Sequence, residues 1–229
     1  PAWLRHARQA AFERFTSLGF PTTRLEAWRH TDVTPIARAA FAAADAGDSG
    51  RLDALASQAT LGGFAGPVVV FVNGRYAPHL SNSGQLPPGV RIESLAAAWG
   101  ARDTGLLESY VAPEPEAAAD AFTALNTALA VDGALLVIPR GVRLEAPIQL
   151  VFMAGPQSDA AVESHPRVIV VTGPESQVTV VEIHAGHGGS FTNASTEIIV
   201  GDAATVTHHK IQRAPETAFH IARTQARLG

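Results

Sequence analysis

Val168-Ile-Val-Val-Thr-Gly-Pro-Glu-Ser-Gln-Val-Thr-Val-Val-Glu-Ile-His184 recurs 28 residues later as Thr196-Glu-Ile-Ile-Val-Gly-Asp-Ala-Ala-Thr-Val-Thr-His-His-Lys-Ile-Gln212. Each copy is a β-branched run, a turn centred on glycine and a second β-branched run. A fixed period of roughly 20 to 50 residues is typical of stacked architectures, in which one unit cannot bury its own apolar face. Because the unit contains no helix, it predicts a β-solenoid or a β-sandwich. This favours a surface that holds partners over a catalytic cleft.

The composition narrows the class of protein. The chain has 229 residues, of which 46% are hydrophobic and 17% charged, with a net charge of −4. This supports a hydrophobic core and argues against disorder. Acidic and basic residues are interspersed, so no basic stripe indicates nucleic-acid binding. The longest apolar runs have the length of strands rather than of a membrane span. The start of the sequence shows no secretory signal, and these features fit a cytoplasmic protein.

The chain contains no cysteine. The fold therefore has no disulfide, and no thiolate of this chain can hold a metal ion or an iron–sulfur cluster. Phosphate-binding glycine loops and nucleophile elbows are also missing from the sequence.

The first half of the chain, up to about residue 131, has helical spacing. Apolar residues three or four apart predict a helix over 4–18 that ends at Gly19. Further helices are predicted from Thr34 toward Gly47, over 51–59, from Ser94 to Trp99 and over 117–131. Asn73-Gly74 between two apolar runs predicts a β-hairpin, because both residues tolerate positive φ. The proline pair in 112–116 predicts a linker.

The second half predicts short strands separated by glycine and proline, with no helical pattern between them. Parallel pairing would then need coil-like connections, so a doubly wound α/β fold is unlikely from this pattern. The predicted strands cover 134–138, 142–144, 148–152, 167–172, 177–184, 196–200 and 205–212.

Histidines near the repeat are the densest set of candidate metal ligands. Glu182, His184 and His187 are followed by His208 in the second copy. Imidazoles and a carboxylate can hold zinc or iron. Strand alternation places Glu182 and His184 on one face, but the 28-residue offset aligns His208 with Val180, so the histidines do not stack. We interpret this face as a polar outer surface. We predict no catalytic residue and no metal ligand, and the candidates to test are His184, His187 and His208.

Five stretches then follow one another in a characteristic order. They are Gly19-Phe-Pro-Thr22 with Arg24-Leu-Glu-Ala-Trp-Arg-His-Thr31; Phe71-Val-Asn-Gly-Arg-Tyr76; Leu125-Asn-Thr-Ala-Leu129 with Asp132-Gly-Ala-Leu-Leu-Val-Ile-Pro-Arg-Gly-Val142 and Pro147-Ile148; His165-Pro-Arg167; and Phe191-Thr-Asn193. Together they resemble the SufB/SufD family of the SUF iron–sulfur cluster assembly machinery. The N-terminal elements and the absence of cysteine favour its SufD branch, although His30 stands where that branch more usually has tyrosine.

The resemblance implies a mainly β fold, with a right-handed parallel β-helix preceded by a mostly helical N-terminal region. We place the helical region at 1–116, with its hairpin near 67–80, and the β-helix at 117–229. The resemblance also implies a non-catalytic scaffold subunit that acts with SufB and the ATPase SufC, and it allows a homodimer. This chain alone is expected to bind no cofactor, whereas the assembled complex would carry an iron–sulfur cluster and reduced flavin.

The resemblance covers about half of a typical family member. We therefore expect the β-helix to be incomplete at its C-terminal end and the chain to be a fragment. The family's cluster-assembly histidine lies in the half that has no counterpart here, so no ligand residue is transferred.

Two enzyme classes are the alternatives. A polysaccharide lyase on a β-helix would place clustered acids and exposed aromatic residues on one face. A cupin-like metal enzyme would place its metal near His184 and His208. Metal content would separate the cupin from the scaffold.

Overall fold

The computed structural model describes residues 1–43, 50–100, 107, 120–156 and 160–229. Its α-helices are α1 (Ala2–Leu18), α2 (Thr34–Arg38), α3 (Gly50–Ala59), α4 (Leu95–Gly100) and α5 (Ala121–Leu129). Its strands are β1 (Ala42–Ala43), β2 (Val68–Val72), β3 (Arg75–Tyr76), β4 (Arg91–Ser94), β5 (Gly133–Ile138), β6 (Ile148–Ala154), β7 (Val162–Ser164), β8 (Arg167–Thr172), β9 (Gln177–Gly186), β10 (Ser190–Val200), β11 (Thr205–Arg213) and β12 (Ala218–Leu228). The fold is mainly β with some helices. The predicted linker at 112–116 and the boundary at 116 lie outside the described residues.

The N-terminal predictions are confirmed in part. Helix α1 ends where the sequence indicates, with Gly19 as its C-terminal cap. Gly19 has a φ of 65°, and its amide N–H donates a hydrogen bond to the Phe15 carbonyl (2.8 Å). The hairpin between β2 and β3 forms, with positive φ at both Asn73 and Gly74. The helix predicted from Thr34 toward Gly47 is wrong, because α2 ends at Arg38. Beyond it, β1 pairs with β7 instead of continuing the helix.

Two sheets form the body of the structure. One has the order β1-β7-β10-β8-β5-β4, with β12 pairing with β10, and the other has the order β11-β9-β6-β2-β3. From β8 to β12 the chain alternates between the sheets, and each of these strands pairs in parallel with an earlier strand of the same sheet. The antiparallel pairs are β2 with β3 and β4 with β5.

The 28-residue offset of the sequence repeat equals the offset between paired residues of neighbouring strands. Val178 pairs with Val206 and Thr179 with Thr207, each 28 residues apart, as the alignment of the two copies predicts. The same offset relates β8 to β10 and β10 to β12. Each 28-residue unit therefore adds one strand to each sheet. This is why neither copy could bury its apolar face alone.

The apolar core lies between the sheets, and further clusters lie on the outer faces. Inner positions such as Phe71, Leu136, Leu150 and Val170 are fully buried, at 0% exposure. Helix α3 covers the outer face of one sheet at Val151 and related positions. Helices α1 and α4 cover the outer face of the other, where Trp99 and Leu4 pack with Leu135 and Ile169.

The strand predictions differ from the structure at the polar segments. Val142–Leu144 forms an isolated bridge, Arg143 to Gln177, rather than a strand. Strands β7 and β12 and the first half of β10 were missed. Their polar residues, such as Ser190, Thr192 and Asn193, carry little β signal, yet they are buried by neighbouring strands.

Two of the stretches that resemble the family each contain a buried asparagine whose side-chain amide binds backbone carbonyls. Asn126 of α5 donates to the carbonyls of Pro166 (3.1 Å) and Asn193 (2.8 Å), and Asn193 donates in return to the Phe122 carbonyl (2.8 Å). These bonds satisfy backbone groups at a helix–sheet contact where water has no access. They fix α5 against β10 and the loop before β8.

Asp132 likewise satisfies backbone groups, at the start of β5. Its carboxylate accepts from the Ser94 hydroxyl (2.7 Å) and from the amides of Ala96 (2.9 Å), Gly133 (2.7 Å) and Tyr76 (2.9 Å). One buried carboxylate thus joins β3, the start of α4 and β5. Helix α4 begins after Ser94, whose hydroxyl accepts from the Ala97 amide, as the sequence predicts.

Candidate functional site

The interior between the sheets changes from apolar to charged along the stack. On one sheet Leu150 of β6 pairs with Glu182 of β9, which pairs with Lys210 of β11. The neighbouring rows run from Ile148 through Val180 to His208 and from Phe152 through His184 to Gln212. Since alternate residues of a strand share a face, these positions all point between the sheets.

Glu182 is the centre of the charged part. It is 0% exposed. Its Oε1 accepts from Thr196 Oγ1 (2.6 Å) and lies 2.8 Å from His208 Nε2. Its Oε2 lies 3.2 Å from His184 Nε2 and 3.3 Å from Lys210 Nζ. Both carboxylate oxygens are therefore occupied by partners from three strands.

These partners stabilise the ionised form of Glu182. Burial alone would raise its pKa. Hydrogen bonds from His184 and His208 and the charge of Lys210 outweigh burial and hold the pKa of Glu182 well below its ordinary value. Lys210 supplies the compensating positive charge, so the pair is an interior ion pair and not an isolated buried ion.

His184 and His220 lie side by side in the same interior. The His184 ring stacks on Phe152, with centroids 5.0 Å apart, and meets the His220 ring edge to face at 4.7 Å. Burial, followed by the charges of His184 and Lys210, lowers the pKa of His220 to about 4. His220 is therefore a neutral imidazole at pH 7.

The structure brings two of the three candidate metal ligands together. His184 and His208 both bind Glu182, whereas His187 lies beyond the end of β9, beside Gly155. Within the ranges that the structure describes, no group of three His, Cys, Asp or Glu side chains is arranged to hold a metal ion. Lys210 holds the position beside Glu182 that a cation would take. The absence of a metal ligand stays a prediction.

The interpretation of this face as a polar outer surface is wrong. Glu182 and His184 point inward, and both are nearly inaccessible. The sequence contained a signal that could have shown this, because Glu182 shares its alternation with the apolar Val178 and Val180. Thr196, Lys210 and His220 were missed as members of the cluster. Thr196 and His220 lie on the other sheet, so their contacts leave no pattern within one strand, whereas Lys210 lies opposite Glu182 on the neighbouring strand of the same sheet.

A second buried ion pair lies on the outer face of the other sheet. Arg167 of β8 is 1% exposed, and its Nη2 contacts Glu197 of β10 while its Nη1 donates to Thr127 Oγ1 of α5 (3.0 Å). Arg227 Nη2 of β12 lies 3.9 Å from the same carboxylate. This arrangement ties three strands of the sheet to α5.

Replacing His208 should affect stability more than replacing its neighbour. His208→Ala removes a hydrogen bond to a buried carboxylate, and we expect a loss of about 1.5 to 2 kcal/mol in the free energy of unfolding. His209→Ala is the matched control, because His209 is exposed and the expected change is within about 0.5 kcal/mol. Urea denaturation of both variants measures the difference, and equal losses would contradict the assigned contact.

The free energy of unfolding should also fall in weak acid, because the fold holds His220 neutral at a pH where the unfolded chain protonates it. Its pKa in the fold is about 4, against an ordinary 6.5, so the unfolded chain binds a proton first as pH falls. The contribution of neutral His220 is complete above pH 6.5 and is lost as pH falls toward 4. We expect the melting temperature to drop over this window, and to drop less in His220→Gln. Parallel melting curves at pH 7 and 4.5 measure this, and identical slopes would contradict it.

Two protein-family models match this chain. The model of the SufBD protein N-terminal region matches residues 1–150, and the model of the SUF system FeS cluster assembly, SufBD core domain, matches residues 153–229. The two matches meet within β6, whereas the domain boundary that we placed at 116 stays a prediction.

Three relatives are similar to the chain. The iron–sulfur cluster assembly SufBD family protein slr0076 of Synechocystis sp. is 30% identical over 241 residues, covering 99% of this chain and 51% of that protein. SufD of Bacillus subtilis is 36% identical over 89 residues, covering 38% of this chain and 20% of SufD. Chloroplastic protein ABCI7 of Arabidopsis thaliana is 29% identical over 115 residues, covering 47% and 24%. The chain thus spans about half the length of the relative that it matches throughout.

Proposed function

Because this chain belongs to the SufBD family of the SUF iron–sulfur cluster assembly system, we propose that it is a non-catalytic scaffold subunit of that system. The observation that carries the proposal is the consecutive match of both family models, which together extend from residue 1 to 229. The similarity to slr0076 over nearly the whole chain supports the same assignment. The role of the subunit is to present folded surfaces to other subunits rather than to convert a substrate.

The fold that we propose for this role is a right-handed parallel β-helix. Alternation of the chain between two sheets, with a 28-residue register, supports it. The right hand follows from the strong preference of parallel crossover connections. Such a coil presents strand edges and flat faces, which suit contact with another subunit of the same kind.

The buried polar residues around Glu182 are paired with one another inside the fold, which supports a scaffold role more than an enzymatic one. Glu182, His184 and His208 are bound to one another and to Lys210, so both oxygens of the carboxylate have partners inside the fold. A cupin-like or lyase site needs acids and bases that reach a substrate. The family matches also give those two alternatives no support.

The partners in this proposal are SufB and the ATPase SufC, in the cytoplasm. This chain alone binds no cofactor, and the assembled complex holds the iron–sulfur cluster as cargo and the reduced flavin. In the part of the chain that the structure describes, no helix is both long and apolar enough to pass through a bilayer.

Co-purification tests this function. The tagged chain is expressed together with SufB and SufC, and the eluate is analysed by size-exclusion chromatography with light scattering. We expect both partners to elute with the chain at a defined mass. Folded chain, shown by its circular dichroism, that elutes alone or as a homodimer would refute the partner assignment.

Two glycine variants serve as matched controls for that experiment. Gly62→Val places its side chain in open space, whereas Gly201→Val collides with the backbone of the preceding coil. Gly62→Val should keep SufB and SufC bound, and Gly201→Val should lose both. Equal retention by the two variants would show that capture does not depend on the folded stack.

A further inference from the structure

A row of polar side chains crosses the inner face of one sheet opposite His184. Ser164 of β7 pairs with Thr192 of β10, and Thr192 pairs with His220 of β12. The hydroxyls of Ser164 and Thr192 lie 3.5 Å apart, at the limit of a hydrogen bond. His220 faces His184 across the interior, at 4.7 Å between ring centroids. Four strands therefore bring polar groups to one place.

Two nitrogen atoms at this place have no hydrogen-bond partner among the described residues. They are Nδ1 of His184 and Nε2 of His220. His184 is 3% exposed, and its Nε2 is directed to Glu182, so its free Nδ1 is an acceptor when Nε2 carries the proton. Buried polar atoms almost always have a partner, because an unsatisfied one loses its hydration without compensation.

A small cavity lies beside these atoms. It leaves about 10 Å³ for the centre of a water molecule, and its lining includes Ser164, His184, Thr192 and His220. A cavity needs roughly 10 to 15 Å³ by this measure to hold one water, together with two to four polar partners. The cavity meets both requirements for one molecule of this size.

The chemistry of the lining selects a neutral ligand. An anion would lie in the interior that already holds the charged Glu182. A metal ion would need further donors, and the carboxylate of Glu182 is occupied on both oxygens. A molecule that both donates and accepts matches imidazole nitrogens and hydroxyls, which can take either role.

We propose that this cavity binds one ordered water molecule, which bridges Nε2 of His220 to Nδ1 of His184 and to the hydroxyls of Ser164 and Thr192. The water joins β12 to β9, β7 and β10 and so links the two sheets inside the stack. It extends the hydrogen-bonded network of Glu182 by one further step through His184.

A crystal structure of the protein and a solution measurement test this site together. We expect electron density for one water about 2.7 to 3.2 Å from His220 Nε2 and from at least one of the other three groups. We also expect ¹⁷O magnetic relaxation dispersion to count one long-lived water fewer in His220→Phe than in the unchanged chain. Thr192→Val is the second variant, should His220→Phe fail to fold, and it should show the same loss.

Thr207→Val is the matched control, because Thr207 is exposed on β11. It should leave the count of long-lived water molecules unchanged. Density for a metal ion, a dry cavity, or an equal water count in His220→Phe and the unchanged chain would each overturn the proposal.

Discussion

Arg167→Leu is expected to lower the free energy of unfolding by about 3 to 5 kcal/mol, because it breaks a buried ion pair from one side. Arg167 is 1% exposed and contacts Glu197, whose side chain is 9% exposed. Without the guanidinium, Glu197 keeps the more distant Arg227, at 3.9 Å. Thr127 of α5 also loses its bond to Arg167. The variant thus leaves an under-compensated carboxylate between the sheet and the helix.

Urea denaturation followed by circular dichroism measures this loss, and two variants control for it. Arg140→Leu removes an arginine whose side chain is 70% exposed and 3.5 Å from Glu175, and it should change stability by less than about 1 kcal/mol. The double variant Arg167→Leu with Glu197→Leu removes both charges and should recover part of the loss. A single Arg167→Leu variant as stable as Arg140→Leu would show that the pair is not buried in solution.

Gly201→Val is expected to lower the free energy of unfolding by about 3 kcal/mol or more, because the new side chain has no room. A Cβ atom at this position would lie 2.6 Å from the Thr172 carbonyl oxygen and 2.8 Å from the Gly173 carbonyl carbon. Both contacts are with backbone atoms at the end of β8 and in the turn after it, and backbone atoms cannot rotate away as a side chain can. The β-branched side chain adds further atoms at the same contact.

The same denaturation measurement compares Gly201→Val with Gly62→Val, which has nothing within 4 Å of its Cβ position. Gly62→Val should remain within about 1 kcal/mol of the unchanged chain. If the two variants unfold at the same urea concentration, the coils are further apart in solution than in the structure. Gly173→Val should resemble Gly201→Val, since its Cβ would lie 2.6 Å from the Arg140 amide nitrogen.

These glycines show what the sequence could predict and what it could not. The aligned glycines of the two copies mark the turns correctly, and large residues are excluded there. A positive φ is not the cause, because neither Gly173 nor Gly201 has one. The actual cause is contact between the backbones of successive turns, of Gly201 with Thr172 and Gly173, and of Gly173 with Pro139 and Arg140. Such a contact involves residues 28 or more positions apart, so no local pattern records it.

The strands and their register were predictable because the repeat is a direct copy of the spatial arrangement. The inward direction of Glu182 and His184 was predictable only from the apolar residues that share their alternation. Of the partners of Glu182, Lys210 lies directly opposite it in the 28-residue register, whereas the contact with Thr196 crosses between the sheets and has no counterpart in the repeat. Helix propensity similarly misled the prediction beyond Arg38, where pairing of Ala42 with Val162 decides the conformation.

The order of interior residues along the stack has a kinetic consequence. The row of Ile148, Leu150 and Phe152 can exclude water without help, whereas His208, Lys210 and Gln212 gain little from collapse alone. We therefore expect the apolar strands to condense first and to form the folding nucleus. Substitutions at Leu150 should then slow folding, whereas substitutions at Lys210 should chiefly accelerate unfolding, and stopped-flow measurement of both rates would test this order.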